Sequence, residues 1–451
     1  MRHSYRLESV ALHEVGVFDD VRLDFPPLPQ KDSEEDKAEI HLFTGPNGCG
    51  KSTLLYALAE VFDEFGRFGD FDVERQIYRR FRGLNSSIEF SFLGERGCYG
   101  ANKNANKLIV SGLIQLFKST GDCFFGTKSD LLRKYKDATL GASKRYMGHT
   151  FSFAVFAYSG QRSLRDTPVT AIQQVTNPLF EAALSFDGGN RPQVLQQWIA
   201  NNRAQSALAK ADGENGAAAI YDQALARITS LIRDVCDLEL EFRLERSPLA
   251  VVARLNGETV HFDSLPDGLK SIISWVGDLA LRLEAIPWKE PGDVFAQPVI
   301  LFLDEVDIHL HPKWQRRILP AIQKLLPNGQ VFVSTHSPFV VGSVEDAWVY
   351  KLPEGGHTAG TIAAIPSGAG KSYRLILEEV FGIEGEFDVE TEGLFEEFYR
   401  LREVFLKDPS NPQALLEAAA KLAERGEEAK LIVARELRQI ARISGKELGL
   451  A

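Results

Sequence analysis

The sequence predicts an α/β protein: a mixed sheet with a buried parallel centre, an antiparallel N-terminal part and helices around both. Three observations lead there. The apolar run Ile40–Phe43 enters a glycine-rich loop and leaves it as a helical pattern. The run "PVILFL" ends abruptly at Asp304 and Glu305. After a further helical stretch, "QVFVST" ends at His336-Ser337-Pro338. Short, continuously apolar runs separated by helical patterns are what strands buried on both faces of a parallel sheet look like.

Taken in order, "YRLESVALHEVGVFDDVRLDF" alternates as a pair of strands would. "PPLPQKDSEEDKAE" then reads as a polar, proline-containing loop. The next segment, "IHLFTGPNGCGKSTLLYALAEVF", carries GxxxxGK[ST] in the strand–loop–helix setting that the motif requires. Its loop and first helical turn are Gly45, Pro46, Asn47, Gly48, Cys49, Gly50, Lys51, Ser52 and Thr53, and Leu54, Leu55, Leu58, Val61 and Phe62 form the apolar face of the helix. Glycines let backbone N–H groups converge on phosphate oxygens, and the helix N-terminus adds positive partial charge. On this pattern Lys51 reaches the β- and γ-phosphates of a nucleotide, and the Ser52 hydroxyl binds Mg²⁺. "IPSGAGKSYRLI" also holds Gly-Lys-Ser, but Ile365 stands where the first glycine of that motif would be. Lys371 and Ser372 therefore read as an ordinary helix start.

A phosphate-binding loop needs an acid for the metal and, in a hydrolase, a carboxylate to activate water. "PVILFLDE" supplies both, Asp304 for Mg²⁺ and Glu305 as general base. The alternative, a transition-metal site from His309, His311 and a carboxylate, is open to two residues on one face of a strand, but no third ligand is marked. His336, at the tip of the following strand, is placed to reach a γ-phosphate.

"DEVDIHLHPKWQRRILPAIQKLLPNGQVFVSTHSP" resembles the Walker B, D-loop and switch-histidine region of ABC-type ATPases. More narrowly it is similar to the branch that includes RecF, SMC proteins, OLD-family proteins and the ATPases of bacterial anti-phage systems such as Septu. The resemblance implies an ABC-type ATPase head that sandwiches ATP between two copies, with the D-loop histidines facing the second subunit. It also implies a signature loop ahead of Walker B, supplied in trans. The match is Leu265, Pro266, Asp267 and Gly268, followed by a helix with Ile272, Ile273, Val276, Leu279 and Leu283 as apolar positions. Pro266 replaces the family's serine and cannot donate a hydrogen bond. The N-terminal strand pair resembles the opening of RecF- and SMC-type heads, where Phe18 is either a base contact or a core aromatic.

"SSIEFSF" and "FSFAVFAYSG" read as strands, with Gln161 and Arg162 just beyond as candidate nucleotide sensors. "AAAIYDQALARITSLIRDV" is one amphipathic helix with no sustained heptads, so no long coiled-coil arm is expected. The domains expected are a head over 1–370, with a helical, signature-bearing insertion over 68–285, and a helical C-terminal extension over 371–451. The extension holds no D-x-D pair, so a Toprim nuclease, which OLD proteins carry there, is not expected.

A net charge of −11 argues against a surface that grips nucleic acid everywhere. Basic clusters at Arg75, Arg79, Arg80 and Arg82, and over 133–146, keep duplex DNA open as a ligand. Four scattered cysteines without CxxC spacing read as reduced thiols of a cytoplasmic protein, and no apolar run is long enough to span a membrane. The reading is an ATPase with ATP and Mg²⁺ as cofactors that forms a homodimer or higher homo-oligomer and controls a separate effector, a nuclease or toxin. A RecF-like DNA repair ATPase is the alternative, and a transporter subunit fits least.

Overall fold

The computed structural model describes residues 5–28, 36–62, 80–83, 85–100, 123–124, 151–160, 164–169, 171–173, 175, 183–186, 192–367, 371–382, 385, 387–446 and 448. Gln161, Arg162, Arg75, Arg79 and the 133–146 run lie outside them. The chain divides into two compact units, Met1–Ile376 and Leu377–Ala451.

The first unit is organised by two larger sheets. The strands of the N-terminal sheet are β1 (Leu7–Val15), β2 (Phe18–Asp24), β4 (Ser87–Phe92), β5 (Glu95–Gly100) and β14 (Thr358–Ile362), in the order β14-β2-β1-β4-β5. Only the β14–β2 pairing is parallel. The central sheet contains β3 (Glu39–Thr44), β6 (Cys123–Phe124), β7 (Phe151–Tyr158), β11 (Val299–Leu303), β12 (Gly329–Ser334), β13 (Ala347–Lys351) and β15 (Ile365–Pro366). Its order is β15-β13-β3-β12-β11-β7-β6, parallel throughout except for β15. Every residue of β3, β11 and β12 is buried, which explains the continuous apolar run of β11 and the largely apolar character of the other two.

The helices of this unit are α1 (Lys51–Glu60), α2 (Pro192–Ala211), α3 (Asn215–Cys236), α4 (Asp267–Ala285), α5 (Pro312–Leu325), α6 (Pro338–Val341) and α7 (Tyr373–Ile376). α1 lies against β12, β11 and β7, so it crosses the centre of the sheet. α4 packs on α2 and α3, burying Ile272, Ile273, Val276, Leu279 and Leu283. A small antiparallel sheet, β8 (Leu240–Arg246), β9 (Leu249–Leu255) and β10 (Glu258–Val260), precedes it. The Ser372 hydroxyl accepts from the Leu375 amide at the start of α7, the helix-start role expected of it.

The span 68–285 is not one helical insertion. Its segments Ser87–Phe92 and Glu95–Gly100 join the N-terminal sheet, and Phe151–Tyr158 sits beside β11 in the central one. The strand alternation was visible, but pairing across such sequence distances is decided by which faces must be covered.

The second unit holds α8 (Val389–Lys407), α9 (Gln413–Ala423) and α10 (Glu427–Ser444). Phe395, Phe398 and Phe405 meet Leu415, Leu422, Val433, Leu437 and Ile440 in its own core. Their spacing of three, four and seven residues is the helical period. Asp388 caps α8 by accepting from the Thr391 amide at 3.1 Å.

Candidate nucleotide site

The site is built at one edge of the central sheet, where β3, β11 and β12 all end. The loop after β3 turns through three glycines with positive φ: Gly45 (148°), Gly48 (81°) and Gly50 (98°). Two of them also permit close approach. A Cβ on Gly50 would stand 2.6 Å from both Phe18 and Val17, and one on Gly45 would stand 2.7 Å from the Leu352 carbonyl oxygen. Phe18 is fully buried under the loop, so it is a core aromatic that supports the loop from beneath.

α1 begins at Lys51 with no side-chain cap and no acid in its first turn. Its first amide groups therefore present positive partial charge without a carboxylate to answer it. Lys51 is buried, and its ammonium donates to the carbonyl oxygens of Gly45 and Pro46, both at 2.9 Å. Arg80 donates to the Thr53 hydroxyl at 3.2 Å while its guanidinium lies 4.3 Å above the Tyr56 ring.

Across the sheet, β11 delivers the two acids. Asp304 is buried, and its amide donates to the Tyr158 carbonyl at 2.9 Å. Glu305 adopts φ of 47°, a left-handed conformation that non-glycine residues seldom take. Its carboxylate rests over Gly160, where an added Cβ would be 2.7 Å from both Glu305 Cβ and Oε2. The Ser334 hydroxyl donates to Asp304 Oδ1, and the same oxygen accepts from the Glu305 amide at 2.7 Å.

His336 follows β12 and is exposed. Partial burial and the nearby Lys51 ammonium hold its imidazole below the usual pKa, against the opposing pull of Asp307 and Asp304. Lys51, Asp304 and Asp307 are therefore the charges that act on the ring. Gln315, on α5, ties the two loops together. Its Nε2 donates to the carbonyls of Asp307 (3.3 Å) and Leu310 (2.9 Å), and its Oε1 accepts from the Ser337 hydroxyl at 2.7 Å.

His309 and His311 are both exposed, and the ring nitrogen of His311 accepts from the Lys313 amide as the N-cap of α5. Among the described residues no three His, Cys, Asp or Glu side chains converge as a metal site of that kind. The Leu265–Gly268 loop leads into α4. It packs on the turn after the acids: a Cβ on Gly268 would lie 2.6 Å from the His309 carbonyl oxygen and 3.1 Å from the Trp314 ring. Leu265 and Gly268 are buried there, while Pro266 and Asp267 remain exposed.

Ser334, Gly160 and Gln315 were missed by sequence reasoning. Ser334 had one signal, a small hydroxyl closing an otherwise apolar strand. The other two act through contacts that no motif encodes.

Residues 131–342 match the family model described as "AAA domain, putative AbiEii toxin, Type IV TA system", and residues 5–67 match a second AAA-domain model. The Septu protein PtuA of Bacillus thuringiensis is 25% identical over 408 residues, covering 83% of this chain and 89% of that one. The chain is an ATPase. A retron Ec83 probable ATPase of Escherichia coli is 32% identical over 113 residues, which are 25% of this ATPase and 21% of that protein. Among solved structures, an SMC head bound to the C-terminal winged-helix domain of ScpA matches 80% of the ATPase and 97% of that chain, at 11% identity and a TM-score of 0.38. No helix among the described residues is long and apolar enough to cross a membrane.

Proposed function

We propose that this ATPase closes as a homodimer around two ATP molecules and uses the cycle of binding and hydrolysis to control a separate effector in anti-phage defence, within the cytoplasm where ATP is supplied. The catalytic half is supported by the neighbouring parallel strands β3, β12 and β11 ending together, so that the loop with Lys51, the acids Asp304 and Glu305, and His336 all follow strand ends on one side of the sheet, with the acids held in a fixed turn. The defence half is supported by the likeness to the Septu protein along nearly its whole length.

In this reading the amides of Gly48 to Ser52 and the Lys51 ammonium receive the phosphates. Lys51 exchanges its two loop carbonyls for phosphate oxygens, a charge-assisted bond in place of a neutral one. The Ser52 hydroxyl and Asp304 carboxylate are the hard oxygen donors that suit Mg²⁺, and they lie where the uncapped amides and the lysine leave an anion to be neutralised. When bound, Mg²⁺ supplies charge stabilisation to the terminal phosphates. Glu305 takes the proton from the attacking water. His336, held neutral near pH 7, donates an N–H to the γ-phosphate. Leu265 to Gly268 approach the partner's nucleotide, with Pro266 and Asp267 as the exposed edge.

The test is Glu305→Gln beside the wild type. The variant should lose turnover by about a hundredfold or more yet retain ATP, and light scattering should show an ATP-dependent dimer. A monomer with ATP would remove the dimer from the proposal. Turnover stimulated by duplex DNA would move it to the repair class.

A further inference from the structure

We propose that Ser334 is a positioning residue for ATP hydrolysis, fixing both acids through one hydroxyl. The inference rests on the reading of Asp304 and Glu305 given above. Ser334 closes β12 and is fully buried. Three consecutive residues of the acid turn depend on it. Its Oγ bonds the Asp304 carboxylate and the Glu305 amide, and its carbonyl accepts from the Val306 amide at 3.2 Å.

The direction of each bond follows from what the atoms can do. A hydroxyl has one hydrogen and two lone pairs. The Glu305 amide can only donate, so it occupies a lone pair. The hydrogen then goes to Asp304 Oδ1, which accepts it. Ser334 thus orients the Asp304 carboxyl group through one of its oxygens. It also answers the amide of Glu305, whose backbone adopts a left-handed conformation. Without that acceptor the half-buried amide loses its bond to Ser334, and the turn gains a reason to relax. Relaxation would carry the Glu305 carboxylate off its seat over Gly160.

A merely structural serine would affect folding alone. A positioning serine affects kcat and Mg²⁺ dependence while leaving ATP capture by the glycine loop in place. In Ser334→Ala, kcat should fall and half-saturating Mg²⁺ should rise, each by about tenfold, as removal of an outer-shell partner does. KM for ATP should stay within about threefold, because Lys51 and the loop amides are untouched. Ser334→Thr keeps the hydroxyl and should recover most of both losses.

The measurement is steady-state turnover over ATP and MgCl₂ series for wild type, Ser334→Ala, Ser334→Thr and Glu305→Gln, with thermal unfolding of each. Wild-type kcat and Mg²⁺ dependence in Ser334→Ala would overturn the proposal, as would a threonine variant no better than alanine. A loss confined to KM for ATP would also overturn it. If Glu305→Gln turns over normally, the acid assignment fails instead, and the two failures are told apart.

Discussion

The two ends of the same parallel strands carry charge in opposite ways. At the start of β3 and β12, Glu39 and Gln330 join Arg6, His41 and Tyr350 in a buried cluster whose members answer one another. Glu39 accepts from Arg6 and meets His41 Nε2 at 2.7 Å. Gln330 bonds both the amide and the carbonyl of Leu7 and also Glu39, and the Tyr350 hydroxyl stands 3.0 Å from His41 Nδ1. At the other end, a few residues along, Glu305 is in a left-handed conformation, and Thr44 Oγ1 and Asp307 Oδ1 are buried with no hydrogen-bond partner. One end ties the N-terminal sheet to the central one; the other leaves polar atoms unanswered among the described residues. A satisfied network stabilises, and an incomplete one costs stability until something binds.

The comparison can be broken first at the satisfied end. Burial alone would raise the pKa of Glu39, but His41 and Arg6 pull it down to about 2 from an ordinary 4.5. A depressed carboxylate contributes stability that is present above about pH 4.5 and is lost as pH falls toward 2. Glu39→Gln should cost about 3 kcal/mol in urea unfolding at pH 7 and flatten that acid limb, with turnover per folded molecule unchanged. A variant that unfolds in parallel with the wild type between those pH values would refute the assignment.

The second test strikes the incomplete end. Gly160→Ala places a methyl against Glu305 Cβ and Oε2. Turnover should fall by about tenfold or more while ATP binding, followed by calorimetry, persists. Loss of binding instead would mean that Gly160 supports the loop rather than the base.

Smaller effects sharpen the contrast. Gln315→Ala removes the bonds from α5 to the acid turn and to Ser337, and should lower stability by about 1 kcal/mol with a severalfold loss of turnover. Thr44→Val removes a hydroxyl that nothing answers, and should leave stability unchanged or raise it by up to about 1 kcal/mol. A clear destabilisation by Thr44→Val would show that both ends of β3 are built for the fold.

Much of the site was legible because local chemistry dictates it. The glycines of the phosphate loop must have positive φ, and three of them do. An apolar strand must stop where acids begin, and β11 stops at Asp304. His336 was legible by its place after the next strand. What could not be read is whatever depends on a neighbour brought in by pairing. Gly160 matters because β7 lies beside β11, in register from Val299 opposite Ala154 to Leu303 opposite Tyr158. Ser334 matters because β12 flanks the other side of β11, with Val333 opposite Leu303. Of the two readings of Phe18, the structure agrees with the core aromatic for the same reason: the strand pair comes in beneath the loop.

The sequence by itself determined the glycine-rich loop, the paired acids, the histidine beyond them and the helical period of the last unit, since each is set by residues adjacent in the chain. The tertiary structure alone decided that 87–100 and 151–158 belong to the sheets, that one serine serves both acids, and that Glu39 at the start of β3 is satisfied while Thr44 at its end is not. Those outcomes turn on which strand lies beside which. Strand order is fixed by the burial of whole faces, a quantity that no single stretch of sequence contains.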